Sequence, residues 1–153
     1  GELVAVIGKR AKNVKKEQAL NYVLGYTLGN DVSARDWQRG DHQWWRAKSS
    51  DTFSPIGPFI LTDIDPSKLE VSVKVNRKEV QRTTTDQMVH DIPTMVSFAS
   101  QVVTLEPGDL IWSGTSGTTT TLKDGDVVEV ECMPIGVLRN YVKGAYVKDP
   151  AKD

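Results

Sequence analysis

A single cysteine, Cys132, among 153 residues rules out an intrachain disulfide. It suits a reducing compartment, cytoplasmic or mitochondrial rather than secretory. Net charge is nearly absent: 19 basic residues stand against 20 acidic ones, for a formal charge of -1. A nucleic-acid binder carries a basic excess, so that class is disfavoured. No apolar run approaches the ~20 residues that span a bilayer; the longest, such as Leu3 to Ile7, are strand-sized. Only two histidines occur, His42 and His90. There is no His-x-x-x-His pair, no Cys-x-x-Cys and no Gly-x-Ser-x-Gly elbow, so zincin, thioredoxin-like and hydrolase-elbow chemistries have no signal. No signal or transit peptide is visible. The chain has no initiator methionine and opens at Gly1-Glu2 directly into an apolar pattern, so a preceding piece is expected.

What is present reads as one strand-rich domain over residues 1–147 and a charged tail over 148–153, expected to fray. Leu3 to Ile7, closed by Gly8, is a buried strand by its continuous apolar run. Asn13 is a candidate N-cap for a helix over Glu17 to Val23, and Leu24 to Asn30 is strand-like. Phe59 to Leu61 is a short strand. Glu70 to Val75 alternates, with one face expected to be wet. Asn76-Arg77 turns that strand back through Lys78 to Thr83 as a hairpin. Ile92 to Val102 is the best helix, with Pro93 in its first turn and Met95, Phe98, Ala99 and Val102 at helical spacing. Leu105-Glu106-Pro107-Gly108-Asp109-Leu110 is echoed by Leu122-Lys123-Asp124-Gly125-Asp126-Val127, each a Gly-Asp turn feeding an apolar strand. Gly136 to Val142 is a last strand. Strands outnumber helices and do not alternate with them, which argues for an α+β fold with a mostly antiparallel or mixed sheet.

Chemistry concentrates in Asn30 to Pro55. Asp31, Arg35, Asp36, Gln38, His42, Lys48 and Thr52 lie there among Trp37, Trp44 and Trp45, three of the chain's four tryptophans. Loops that mix charge and aromatics often form sites; a solvated loop with some rings tucked into the core is the plain alternative. Glu2 and Asp31 flank two apparent strands and could share a hard cation, although 29 residues of separation carry no weight alone. The Ser113 to Gly117 loop lacks the Gly-Lys-Ser/Thr ending of a phosphate loop, so a nucleotide site is rejected. It reads either as a flexible polar loop or as one whose backbone N–H groups and threonine hydroxyls meet a carboxylate.

Five stretches together resemble the fumarylacetoacetate hydrolase family, in that family's order: Gly1 to Lys9, Gly25 to Asp36, Lys48 to Phe53, Leu105 to Asp109, and Ser113-Gly114-Thr115. Asn30-Asp31-Val32-Ser33-Ala34-Arg35-Asp36 is the most specific of them. The likeness is nearer to the smaller acylpyruvase, oxaloacetate tautomerase-decarboxylase and diene-dioate isomerase-like members. It implies a β-rich fold of mixed sheets rolled around a metal site with flanking helices, usually a homodimer. It further implies Mg²⁺, or Mn²⁺ or Ca²⁺ in its place, held by Glu2 and Asp31, with a first glutamate of the pair ahead of Gly1. By the same match Lys48 is the catalytic lysine beside metal and substrate. Arg35, Gln38 and Thr115 are substrate contacts, and Thr52 supports the metal site. The family's catalytic His-Glu pair belongs to a lid ahead of that metal site, and neither His42 nor His90 replaces it. Ser116 departs from the proline common in the Gly-Thr loop, and Thr118 to Thr121 joins directly to Leu122.

The implied reaction runs through a metal-stabilised enolate of a small 2-oxo or β-diketo acid. C–C hydrolysis of an acylpyruvate, keto–enol tautomerisation or isomerisation, and oxaloacetate decarboxylation all pass through similar intermediates. A different class of reading, a non-catalytic dimeric scaffold, stands beside these. No nucleic acid or membrane is expected as a partner.

Overall fold

The computed structural model describes residues 1–144; the charged tail and the last residues of the expected 1–147 domain lie outside them. The strands are β1 Glu2–Ile7, β2 Val23–Gly29, β3 Ile56–Leu61, β4 Glu70–Val75, β5 Lys78–Thr84, β6 Leu110–Trp112, β7 Val127–Cys132 and β8 Gly136–Tyr141. Three α-helices accompany them: α1 Arg35–Gly40, α2 Trp45–Ser49 and α3 Ile92–Val102. Two four-stranded sheets form, ordered β3-β2-β1-β6 and β5-β4-β7-β8. Every pairing between these strands is antiparallel, so the choice between antiparallel and mixed resolves to the former.

One core joins the two sheets. Leu3, Ala5 and Ile7 of β1 and Tyr26 and Leu28 of β2 meet Val71, Val73, Val128, Val130 and Leu138 of the other sheet. All six residues of β1 are buried, because it lies between two neighbours and is covered on both faces. Full burial of a side chain such as Leu3 or Ile7 stabilises the fold by about 1.5–3 kcal/mol.

The two Gly-Asp turns are built alike. Asp109 accepts the N–H of Glu106 at 2.8 Å, and Asp126 accepts that of Lys123 at 2.7 Å. Gly108 and Gly125 take φ of 96° and 85°, a region closed to most side chains. Each turn also exchanges backbone bonds with the end of a neighbouring strand, Ile7 in one case and Val142 in the other. The hairpin turn at Asn76-Arg77 has positive φ at both residues, the pattern of a tight two-residue connection. The Asn76 side chain ties it to the second Gly-Asp turn through Asp126 and Val127.

Three local expectations change. Lys16–Tyr22 is a 3₁₀ helix led in by Lys15, and Asn13, at φ 53°, is not its cap. The reason is what this segment must reach: Asn13 and Val14 bond to Ser100, and Ser97 and Gln101 donate to the Val14 carbonyl. Those same bonds turn α3. Its buried residues are Ile92, Val96 and Ser100, while Phe98 and Val102 are 73% and 72% exposed. The helix stands where the spacing put it, with Asp91 as N-cap accepting the Thr94 N–H at 2.9 Å; of its expected face, Met95 and Ala99 pack against the core, partly buried, and Phe98 and Val102 do not. Lastly, Ser72 on the expected wet face of β4 is buried. It pairs in register with Arg82 and Glu131, whose long side chains flank it.

Candidate active site at the start of β1

The antiparallel order of the first sheet gathers three chain segments at one end. β1 begins at Glu2, and its neighbours β2 and β6 both finish there, with Glu2 opposite Gly29 and Val4 opposite Trp112. The chain leaves β2 as Asn30-Asp31 and leaves β6 as Ser113-Gly114. Gly29 admits no side chain, because a Cβ there would fall on the Trp112 ring. Ser113 donates its N–H to the Leu3 carbonyl at 3.0 Å, and Gly114 donates to Glu2 Oε2 at 2.7 Å. The loop read as a carboxylate binder thus offers an N–H to a carboxylate of the protein itself.

Asp31 and Lys48 are brought together by short anchors. Asn30 donates its N–H to the Pro55 carbonyl at 3.0 Å and its side-chain amide to Asn140 at 3.1 Å. The N–H of Ala34, at the head of α1, donates to the Ala47 carbonyl of α2 at 2.9 Å. Ser54 Oγ donates to the Lys48 carbonyl at 2.8 Å. Lys48 Nζ then donates to Asp31 Oδ2 in a half-buried ion pair.

Glu2, Asp31, Arg35, Lys48, Gln81 and Thr115 all help to wall one cavity of about 810 Å³. A smaller one of about 270 Å³, more apolar and edged by Met88, His90 and Met95, shares Gly1, Glu2, Gly114 and Thr115 with it. Glu2 is 5% exposed. Burial pushes its carboxyl above the usual range; the Gly114 N–H pulls it down, and the Asp31 charge pushes it up again. A buried acid beside a second acid favours a cation. Arg35 donates to two neutral oxygens, Gln38 Oε1 at 2.6 Å and Thr119 Oγ1 at 3.2 Å. The neighbouring acid, Asp36, is instead taken by Arg39.

Five of the seven residues singled out from sequence therefore converge: Glu2, Asp31, Lys48, Arg35 and Thr115. The other two do not line this cavity. Gln38 stands behind Arg35 as its hydrogen-bond partner. Thr52 is exposed in the turn after α2, at φ 70°, an uncommon conformation for a β-branched residue. The aromatics of the segment divide: Trp37 lies under the Arg46 guanidinium at 5.2 Å, while Trp44 and Trp45 are exposed. His42 is exposed and outside the cavity. Gln81 is a polar wall residue that sequence reasoning passed over, since a glutamine in a return strand carries no signal of its own.

Among the described residues no group of three His, Cys, Asp or Glu side chains is placed to hold a metal ion. The two carboxylates nevertheless fit a hard divalent cation. Glu2 Oε1 and Asp31 Oδ1 receive no donor among the described residues, and carboxylate oxygen is the ligand such ions prefer. No helix among the described residues is long and apolar enough to cross a membrane.

A strand-rich α+β domain with a carboxylate-walled cavity at one sheet end defines the class. The chain belongs to the family described as fumarylacetoacetate (FAA) hydrolase C-terminal, which matches residues 1–143. An uncharacterized protein of Methanocaldococcus jannaschii is 52% identical over 142 residues, covering 93% of this chain and 60% of that one. Oxaloacetate tautomerase fahd2, mitochondrial, of Xenopus laevis is 42% identical over 153 residues, covering 92% of this chain and 48% of that one. Among solved structures, 2-hydroxyhepta-2,4-diene-1,7-dioate isomerase from Mycobacterium marinum superposes with a TM-score of 0.90 at 48% identity, covering 93% of this chain and 56% of that one. The chain spans about half to three-fifths of the length of these relatives.

Proposed function

We propose that this cavity belongs to a divalent-metal-dependent enzyme acting on small 2-oxo or β-diketo acids, by C–C hydrolysis of an acylpyruvate or by keto–enol tautomerisation or isomerisation. The observation that carries the reading is the shared wall: two carboxylates with free oxygens, a lysine beside them, and an arginine whose partners are neutral. A relative named as an oxaloacetate tautomerase favours the tautomerase branch; decarboxylation of oxaloacetate is the neighbouring reaction on the same groups.

Glu2 and Asp31 would hold Mg²⁺, or Mn²⁺ or Ca²⁺, with waters or a further carboxylate completing its shell. When bound, the ion supplies Lewis acidity that polarises the 2-oxo group. Arg35 grips a substrate carboxylate with the planar fork that suits that group, and Gln38 holds the fork in place. Thr115 adds a hydroxyl to the same end. Lys48 brings positive charge to where the enolate oxygen develops, a contribution of roughly 3 kcal/mol to the barrier for groups of this type. Thr52, away from the cavity wall, acts at most on the backbone that carries Lys48. Exposed apolar side chains on β3 and β8, such as Phe59 and Tyr141, offer surface for the homodimer the family resemblance implies. We place the protein in the cytoplasm or mitochondrion.

The test is turnover of acylpyruvates, oxaloacetate and 2-hydroxy-diene-dioates by the full-length protein, followed by absorbance with and without Mg²⁺ or Mn²⁺. Asp31→Ala is expected to lower kcat/KM by at least about 10²-fold and to remove metal binding in calorimetry. No turnover on any substrate, with no metal bound, would leave the scaffold reading in its place.

A further inference from the structure

Gln81 lies on β5 opposite Val73 of β4. Directly opposed residues share a face, so its side chain projects to the core side of the sheet, into the larger cavity. There Nε2 donates to Thr115 Oγ1 at 2.5 Å and to the carbonyl of Ser116. The carbonyl oxygen can only accept, so the amide end facing the loop is the NH₂ group and both its hydrogens are used. A threonine hydroxyl has one hydrogen to give and two lone pairs to receive. Because Gln81 supplies a donor to Thr115, the hydroxyl hydrogen of Thr115 has to go elsewhere, and the open side is that of the two cavities it lines, which meet at Glu2.

The same loop is pinned from the other sheet by the Gly114 N–H on Glu2. Farther along, Thr119 accepts from Arg35. Gln81 therefore sets the direction of one hydroxyl and closes a hydrogen-bonded strap between β5 and β1, on the wall of the cavity that Arg35 also lines.

We propose that Gln81 is a positioning residue that fixes Thr115 as a hydrogen-bond donor toward the carboxylate of the ligand. The inference rests on the 2-oxo acid reading of the cavity. It predicts that Gln81 acts on ligand binding, through Thr115, and not on the chemical step.

The experiment measures oxalate and pyruvate binding by calorimetry, in the presence of Mg²⁺, for the full-length protein and its variants. Thr115→Val and Gln81→Met are each expected to weaken oxalate binding about tenfold, the size of one lost hydrogen bond to a charged group. The double variant is expected to be no weaker than Thr115→Val alone, since one contact is lost either way. In turnover, Gln81→Met raises KM and leaves kcat within about twofold, by the logic of binding lost equally from ground and transition states. Gln81→Asn, which keeps the amide and shortens its reach, behaves as Gln81→Met and decides the matter should the latter fail to fold. Wild-type affinity in the Gln81 variants, or losses that multiply to about a hundredfold in the double variant, overturns the role of Gln81 alone. Failure of the wild-type protein to bind either acid overturns the 2-oxo acid reading and this role with it.

Discussion

The charges on the outer face of the second sheet and those in the cavity are disposed differently. On the sheet, Lys74 meets Glu131 at 2.5 Å, Arg139 meets Glu129 at 2.7 Å, and Arg82 meets both Glu70 and Glu79. Most of these pairs bridge adjacent strands and neutralise each other in place. In the cavity Asp31 pairs with Lys48 and Asp36 with Arg39, but two charges stand outside such pairs. Glu2 has a peptide N–H, and Arg35 has two neutral oxygens. The difference separates charge that maintains a surface from charge held ready for a ligand: a cation on the carboxylate side, an anion on the guanidinium side.

The largest break in that contrast is expected at Lys48, the cavity cation already paired. Lys48→Met should lower kcat by about 10²–10³-fold if its charge serves a developing anion, with far-UV circular dichroism unchanged. A loss below about threefold would make it a structural ion pair of the kind seen on the sheet. Next comes a matched pair of arginines. Arg35→Met should raise KM by about 10–100-fold, the range for a charged hydrogen bond to a carboxylate. Arg139→Met, on the sheet, should leave KM where it was; equal KM shifts in both would erase the distinction.

The smallest effect tests a charge with a purely structural task. Asp91 caps α3, and its carboxyl is held down at about 2, against an ordinary 3.8, by the Thr94 hydroxyl, Lys16 and the Thr94 N–H. Asp91→Ala should cost about 1 kcal/mol in urea unfolding near pH 6. A depressed carboxyl stabilises above its unfolded pKa and loses that effect as pH falls through the folded value. The gap between variant and wild type should therefore persist above pH 3.8 and close toward pH 2.

Much of the architecture was legible because its signals are local. An uninterrupted Leu3 to Ile7 run has to be buried on both faces, and β1 is. Two Gly-Asp turns of like sequence fold alike because φ near 90° and an aspartate closing on the N–H three residues back are short-range requirements. The site was legible only through resemblance. Glu2 and Asp31 carry no mutual signal in the chain; the register of Glu2 on Gly29 is what makes them neighbours. Gln81 was invisible because its importance lies in a loop 34 residues on.

Helix α3 shows where the boundary falls. Its existence and Pro93 in its first turn were read from the residues, and the Asp91 cap the structure adds is equally local, since capping is settled within a turn. Which face it buries does not follow. Phe98 and Val102 have the stronger hydrophobic claim, yet it is Ser100 that is buried, bonded to the backbone at Asn13 and Val14, while Ser97 and Gln101 donate to the Val14 carbonyl. A buried peptide group left without a partner costs as much as an apolar side chain gains. Sequence alone determined most of the elements, the turns and the kinds of residue available for chemistry. Only the tertiary structure decided which of them meet, because unpaired backbone and unpaired charge are properties of a neighbourhood and not of a residue.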